Sequence, residues 1–368
     1  MKINTKESII VRPSQDIPQQ RLWLSNIDLL LPRFYVLTVY LYKPNGSSDF
    51  FEAEVLKEAL RKVLVPFYPV AGRLARDENE LGEFMSSMKF QQLIPTVDTN
   101  LQDISRNPLV LLQVTSFKCG GVCLGVGWHH TLADGTGALH FINSWATLAR
   151  GLSITVPPLL DRTILRGRVA PKSIFHHVEY DPPPTMNTDL TKNPEPQSLT
   201  NLKITPEQID SLKAKASNVG SETKLNPPLQ STYFGNVIFT ASPVALFGDL
   251  LSESFRCTVE RIHREIKKMD DEYLRSALDY LEEVGDVNSI PRGSITCACP
   301  NLNIVSWMRL PIYKADFGWG APLLLRPATM FEGKGYIHPN PANDGSFSLA
   351  ICLEADHMES FRKLFYDF

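Results

Sequence analysis

The chain has 368 residues, which is enough for two domains or for one large domain with a substantial core. Its apolar content of 43%, charged content of 21% and formal net charge of -3 are ordinary for a globular protein. This charge balance argues against nucleic acid or an anionic membrane as the main partner, so we expect small-molecule substrates.

The N-terminal residues contain no apolar run of the kind that a signal peptide needs, and no later window stays apolar over the length of a membrane span. We therefore expect a cytoplasmic location and no contact with a membrane. The six cysteines are spread over a long chain and do not form the framework of a small disulfide-rich domain, so we predict free thiols.

The first half of the chain alternates strand and helix patterns. Residues 34–42 are rich in β-branched and aromatic residues and predict a strand, whereas residues 52–64 repeat apolar residues at helical spacing. Two strand-like runs, 109–118 and 122–130, flank a Cys-Gly-Gly turn and predict a hairpin. A helix pattern follows and closes at Gly151, so a strand, a tight turn and a helix surround the sequence HHTLADG.

Residues 178–200 are rich in proline and have no hydrophobic period, which is typical of an extended linker. We predict that this crossover linker joins an N-terminal domain, 1–177, to a C-terminal domain, 201–368. In the second half, Thr205 and Gln208 predict a capping box at the start of a helix. Further strands are predicted at 236–242, 303–310 and 347–354, and further helices within 246–285 and from residue 356.

His130 and Asp134 stand in an H-x-x-x-D arrangement at the predicted end of a strand. An imidazole accepts protons near neutral pH, so this pair is compatible with a catalytic base. Taken alone, the spacing favours an ordinary histidine beside an Asp-Gly turn. A metal site that adds His129, Cys119 and Cys123 lacks the close ligand pairs of zinc sites, and adjacent strand residues point to opposite faces.

Other enzyme classes leave no motif in the sequence. There is no G-x-S-x-G elbow, no G-x-G-x-x-G loop and no P-loop, and the letters D-F-G at 316–318 lack the companion motifs of a kinase. These absences disfavour a serine hydrolase, a dinucleotide-dependent enzyme and a kinase.

Four motifs in one order resemble those of the plant BAHD acyltransferases, which transfer acyl groups from coenzyme A thioesters. They are YPVAGRL (68–74), HHTLADG (129–135), YFGN (233–236) and DFGWG (316–320), and they extend over nearly the whole chain. The resemblance implies an α/β fold of two similar CoA-dependent-acyltransferase-like domains, each a mixed β-sheet with flanking helices, joined by a long crossover loop.

The same resemblance implies the chemistry. Acyl-CoA would be a co-substrate, with no bound cofactor and no metal, and the protein would act as a monomer. Within the family the sequence is most similar to members that transfer a hydroxycinnamoyl group, p-coumaroyl or caffeoyl, to a hydroxyl of shikimate or quinate. Acyl-CoA and acceptor would enter a solvent channel between the domains from opposite faces.

The resemblance also assigns roles to residues. His130 would be the general base that deprotonates the acceptor hydroxyl, with no acyl-enzyme. Trp319 is a candidate N–H donor to the oxyanion of the tetrahedral intermediate, and packing of a large aromatic beside two glycines is the equal alternative. Acceptor-binding roles fall on Arg292, Trp307 and Tyr40. Structural roles fall on the remaining motif residues, namely Asp134, Gly135, Asp316, Phe317, Gly318 and Gly320.

The sequence departs from the family pattern in its acceptor residues and its length. Val305 and Tyr35 replace a threonine and a histidine that are usual in shikimate-type members, which leaves another alcohol or an amine as alternative acceptors. Segments are missing near residues 80 and 225, and in the family the second holds part of the CoA site and the basic partner of Asp134. An uncompensated Asp134 would threaten the fold, so an inactive, ligand-binding paralog is the alternative to an enzyme.

Overall fold

The computed structural model describes residues 3–74, 91–95, 107–184, 197–216, 225–342 and 344–367. Within these ranges the strands are β1 (Tyr35–Tyr42), β2 (Val110–Ser116), β3 (Val122–His129), β4 (Gln197–Ile204), β5 (Asn303–Ser306), β6 (Leu324–Pro327), β7 (Lys334–Pro339) and β8 (Phe347–Glu354). The α-helices are α1 (Asn26–Leu30), α2 (Ala53–Val63), α3 (Gly135–Ala149), α4 (Pro206–Ala216), α5 (Phe247–Ser252), α6 (Phe255–Lys268), α7 (Asp271–Glu283) and α8 (Ala355–Leu364).

The described strands form two four-stranded sheets, in the orders β2-β3-β1-β6 and β4-β8-β7-β5. Neighbours in the first sheet run antiparallel. In the second sheet β5 runs parallel to β7, and the other neighbours run antiparallel. With the helices, these sheets confirm the predicted α/β fold.

Most elements predicted in the first half are confirmed. The predicted hairpin is β2 and β3, which pair with Val110 opposite Trp128. The helix after the motif loop ends at Ala149, and Gly151 follows it with a φ of 73°, a left-handed conformation that glycine adopts without strain.

The predicted capping box at the start of α4 is also confirmed. The Thr205 N–H donates to Gln208 Oε1 at 2.9 Å, and the Gln208 N–H donates to Thr205 Oγ1 at 3.3 Å. These two bonds satisfy amide groups that have no partner within the helix.

The predicted strand at 236–242 is wrong, because this segment has no strand partner. Its first two amides bond to carboxylates instead of to a neighbouring strand: the Asn236 N–H donates to Asp28 Oδ1 at 2.9 Å and the Val237 N–H donates to Asp134 Oδ2 at 3.1 Å. The strand predicted at 303–310 is real but ends at Ser306. The sequence analysis missed β4, β6, β7 and α1.

The two halves of the chain share the first sheet. Strand β6 comes from the C-terminal half and pairs with β1, with Arg326 opposite Val39. Strand β4 begins at Gln197, inside the predicted linker, and residues 185–196 of that linker lie outside the described residues. The sheets therefore do not follow the predicted limits of 1–177 and 201–368.

Apolar side chains form two main cores. One packs the first sheet against α2 and α3 and includes Phe67, Phe141 and Trp145, and the other surrounds α1 and α7. The six cysteines are unpaired. No helix in the described part of the chain combines the length and the apolar run that a membrane crossing requires.

Candidate active site

His130 lies just past the end of β3, beside the start of β1. Its backbone N–H donates to the Phe34 carbonyl at 3.0 Å, and its ring meets the Phe34 ring edge-on at 6.1 Å. The residue is half-buried, and its Nδ1 is sealed from solvent without a hydrogen-bond partner among the described residues. Solvent does not reach Nδ1, which leaves Nε2 as the candidate base atom.

The surroundings of His130 favour the neutral imidazole. Burial lowers the pKa of His130, and the positive charge of Lys334 acts in the same direction, whereas hydrogen bonding to its own backbone and to Asn236 opposes the shift without reversing it. A histidine with a lowered pKa is unprotonated at neutral pH, so it can accept a proton.

His129 points to the other face of the sheet. Its Nδ1 lies 2.7 Å from the Thr131 hydroxyl oxygen, and its ring meets the Tyr35 ring edge-on at 5.3 Å. Burial lowers the pKa of His129 to about 4. The adjacent histidines thus occupy separate environments, as alternation along a strand requires.

Three consecutive carbonyls of the motif loop are held by side chains from elsewhere in the chain. Asn236 Nδ2 donates to the His130 carbonyl at 3.0 Å. Arg162 donates to the next two carbonyls, from Nη1 to Thr131 at 3.4 Å and from Nη2 to Leu132 at 2.5 Å. These bonds fix the backbone that carries the imidazole.

The Asp28 carboxylate connects the two side chains that hold the loop. It is fully buried and pairs with Arg162 Nη1 at 2.9 Å. Its Oδ1 accepts from both the backbone and the side-chain nitrogen of Asn236, each at 2.9 Å. Its Oδ2 also accepts from the Ser25 N–H at 2.9 Å and the Ser25 hydroxyl at 2.8 Å. A buried ion pair is tolerated when hydrogen bonds satisfy it in this way.

Asp134 caps the helix that follows the motif. Its Oδ1 accepts from the amides of Thr136 and Gly137 at 2.9 and 3.1 Å, and its Oδ2 accepts from the Val237 amide at 3.1 Å. Burial raises the pKa of Asp134, and these amides oppose that shift. Asp134 forms no ion pair with the described residues, so backbone amides at a helix N-terminus take the place of the expected cation.

The motif loop touches the turn that carries Trp307. A side chain at Gly135 would place its Cβ 3.1 Å from Leu310 Cδ1, so glycine allows this close approach. The backbone N–H of Trp307 donates to the Ile337 carbonyl at 2.7 Å. The centre of the indole ring lies 4.7 Å from the centre of the Tyr336 ring. The structure therefore brings Trp307 to the same region as the motif loop.

The DFGWG segment forms a turn closed by its own aspartate. Asp316 Oδ1 accepts from the amides of Gly318 and Gly320 at 2.8 and 2.9 Å, and both glycines have a φ of 107°. Phe317 is buried edge-on against Trp145, with ring centres 4.8 Å apart. These contacts stabilise the packing of the segment on α3.

The Trp319 side chain lies at a distance from His130. Its Nε1 donates to Asp49 Oδ1 at 3.3 Å, and its ring lies 5.2 Å from that of Phe51. Phe51 packs on Tyr42, at the end of β1 that is farthest from His130. Because the eight residues of β1 extend over roughly 25 Å, Trp319 cannot donate to an oxyanion beside His130.

Tyr40 and Arg292 lie at different distances from His130. Tyr40 is on the same face of the first sheet but is buried in the core, six residues along the strand from Phe34 or roughly 20 Å. Arg292 donates from Nη1 to the Leu29 carbonyl at 3.0 Å and from Nη2 to Asn288 Oδ1 at 2.8 Å. Leu29 belongs to the segment that leads into β1, and β1 begins beside His130. Arg292 therefore lies near the end of β1 that is closest to His130.

Asp28 and Arg162 were not predicted from the sequence, and Asn236 was recognised only as part of the YFGN motif, without a role. The one local pattern that pointed to Asp28 is its capping box with Ser25 at the start of α1. The pairing of Asp28 with Arg162 joins residues far apart in the chain, so no local pattern reveals it.

Comparison with known proteins gives matches over the whole chain. The transferase family model matches in three segments, residues 1–82, 78–224 and 218–368. A shikimate O-hydroxycinnamoyltransferase of Nicotiana tabacum is 44% identical over 436 aligned positions that cover all of both chains. A hydroxycinnamoyl-CoA:5-hydroxyanthranilate N-hydroxycinnamoyltransferase of Avena sativa is 40% identical over 446 positions, again covering all of both chains.

Solved structures share the fold at low sequence identity. The crystal structure of vinorine synthase matches with a TM-score of 0.66 at 20% identity, covering 95% of this chain and 94% of its own. The crystal structure of F. graminearum TRI101 complexed with coenzyme A and T-2 mycotoxin matches with a TM-score of 0.73 at 17% identity, covering 93% and 97%.

The comparisons also locate a difference in length. The alignment with the Nicotiana tabacum protein has 436 positions and this chain has 368 residues, so 68 positions lie opposite gaps in this chain. The three family segments overlap at 78–82 and 218–224, which are the places where the sequence predicts missing segments. Both places lie outside the described residues.

We expect Arg162→Met to lower the free energy of unfolding by about 3–5 kcal/mol, because it leaves the buried Asp28 carboxylate without its cation. Urea unfolding of the purified protein measures this loss. The matched control is the double variant Asp28→Asn/Arg162→Met, which removes both charges and should be more stable than Arg162→Met alone. Equal stability of the two variants would contradict the pairing.

Proposed function

The chain belongs to the transferase family, and from that premise we propose that it moves a hydroxycinnamoyl group from coenzyme A to a hydroxyl of a shikimate- or quinate-like acceptor. The acyl-CoA-dependent acyltransferase class follows from the family, and the donor and acceptor are the proposal. The observation that carries it is His130, whose lowered pKa favours the neutral imidazole and whose backbone is held by Asn236 and Arg162.

The proposed mechanism needs one base. His130 Nε2 takes the proton of the acceptor hydroxyl as that oxygen attacks the thioester carbonyl carbon. The tetrahedral intermediate then collapses, the carbon–sulfur bond breaks, and the CoA thiolate leaves with the proton from the His130 imidazolium. An imidazolium with a lowered pKa is acidic enough to protonate a thiolate, whose thiol has a pKa of about 8.5. No acyl-enzyme forms.

The acceptor is proposed to lie between the motif loop and the residues that follow β5. Trp307 borders this region through its contact with Tyr336. Arg292 is the proposed partner of the acceptor carboxylate, since a guanidinium binds carboxylates well. Tyr40 lies deeper along the same face, so it contacts only an acceptor that extends along β1. No residue is assigned to the CoA site.

An inactive paralog is the competing proposal, and the 68 missing positions favour it. Two features of the described structure support activity instead. Backbone amides compensate Asp134, which forms no ion pair with the described residues, and Arg162 and Asn236 hold the loop that carries His130.

We expect purified protein to form an ester from p-coumaroyl-CoA and shikimate or quinate, with release of free CoA. His130→Ala should lower kcat by roughly 10²–10⁴-fold, because it removes the general base. Chromatography of the ester and a thiol assay measure the two products. The Nicotiana tabacum enzyme serves as the positive control.

Ester formation by the control but not by this chain would reject the proposed activity. Calorimetry with CoA then separates the remaining explanations. If the chain binds CoA, the missing activity is explained by a failure to bind the acceptor or by an inactive base. If the chain does not bind CoA, it is the inactive paralog.

We expect Trp319→Phe to lower the thermal midpoint and to keep kcat within about threefold of the parent chain. The reason is that Trp319 packs on Phe51, far from His130, and loss of a true oxyanion donor costs about 10²–10³-fold in kcat. Differential scanning calorimetry and the ester assay give the two readouts. A loss of kcat of a hundredfold or more in a folded variant would restore the oxyanion role.

A further inference from the structure

Lys334 is a half-buried cation without a described acidic partner. It begins β7 and lies opposite Asn303 of β5, to whose Oδ1 its Nζ donates at 2.8 Å. Its Nζ also lies over the rings of Tyr336 and Phe331, at 5.7 and 5.9 Å from their centres. Burial lowers the pKa of Lys334, and no carboxylate of the described residues forms an ion pair with it. A buried ammonium of this kind is costly unless an anion accompanies it.

The strand register places Lys334 beside the proposed acceptor region. Val305 of β5 lies opposite Tyr336 of β7, and the Trp307 ring packs on the Tyr336 ring. Lys334 and Tyr336 are two residues apart on one strand, so their side chains share a face. Lys334 is also near enough to His130 for its charge to act on the imidazole.

Arg292 and Lys334 lie at opposite ends of one short turn. Arg292 precedes the 3-10 turn Gly293–Thr296, and Cys297 ends it. A side chain at Gly333 would collide with the Cys297 carbonyl oxygen, so the residue before Lys334 touches the end of the same turn. Two cations therefore flank the region between β5 and the motif loop.

Resting on the proposed function, we propose that Lys334 is a second cation, beside Arg292, that binds the carboxylate of the acceptor and selects acidic acceptors over uncharged ones. A carboxylate at this position replaces lost hydration of the ammonium with a charge-assisted hydrogen bond. Asn303 holds the ammonium through its side-chain oxygen and leaves two further N–H donors of Lys334 for the ligand. A cationic amine is disfavoured at the same position by charge repulsion.

The test compares shikimate with its methyl ester, which has the same hydroxyls but no negative charge. Calorimetry measures the dissociation constant of each for the full chain, so the test does not depend on turnover. The parent chain should bind the acid at least about tenfold more tightly, as expected for a charged hydrogen bond. Lys334→Met should reduce this preference by about tenfold, and Lys334→Arg should retain most of it.

Folding of the variants is checked by the thermal midpoint, which Lys334→Met should not lower, since methionine fills a similar volume without a buried charge. Lys334→Gln is the second uncharged variant if methionine disturbs the fold. Arg292→Ala, measured in parallel, reports how much of the preference depends on the other cation.

Two results would overturn the proposal. One is a parent chain that binds acid and ester equally. The other is a preference that folded Lys334→Met and Lys334→Gln retain in full. Failure of the ester assay with intact binding discrimination would reject the proposed reaction and leave the carboxylate site in place.

Discussion

The buried carboxylate of Asp28 is the interaction on which the candidate site depends. It binds Arg162 and Asn236, and these two side chains hold the carbonyls of the loop that carries His130. Desolvation makes each of these groups costly to leave unpaired, so the network favours one arrangement of the loop strongly over others. The position of the imidazole is therefore set by tertiary contacts from three distant parts of the chain, and not by the H-x-x-x-D motif alone.

Asp134 and helix α6 are compensated to different degrees. Asp134 forms no ion pair with the described residues, yet three backbone amides and the start of α3 compensate its charge. Helix α6 has a different outcome: it buries no residue and exposes Phe255, Ile262 and Ile266 on its apolar face. Backbone amides nearby can supply the hydrogen bonds that a motif aspartate needs. The apolar face of an amphipathic helix is buried only when another element packs against it.

Elements with local causes were predictable from the sequence. The capping box of α4 and the β2–β3 hairpin depend on residues near each other in the chain, and both were found where predicted. The strand predicted at 236–242 failed because carboxylates distant in sequence bind its amides. The position of Trp319 was not predictable for a related reason: its motif is intact, but the length of strand β1 separates it from His130. Lys334 stood out only when the β5–β7 register was known, since a single lysine has no sequence pattern.

The central claim is that the buried loop keeps His130 neutral, so that it can act as a base. The most direct measurement is an NMR titration of the chain with isotope-labelled histidine, in which His130→Gln identifies the His130 resonance. We expect His130 to titrate below its ordinary value of 6.5, because burial and the charge of Lys334 both disfavour the imidazolium. A His130 pKa at or above 6.5 would contradict the account.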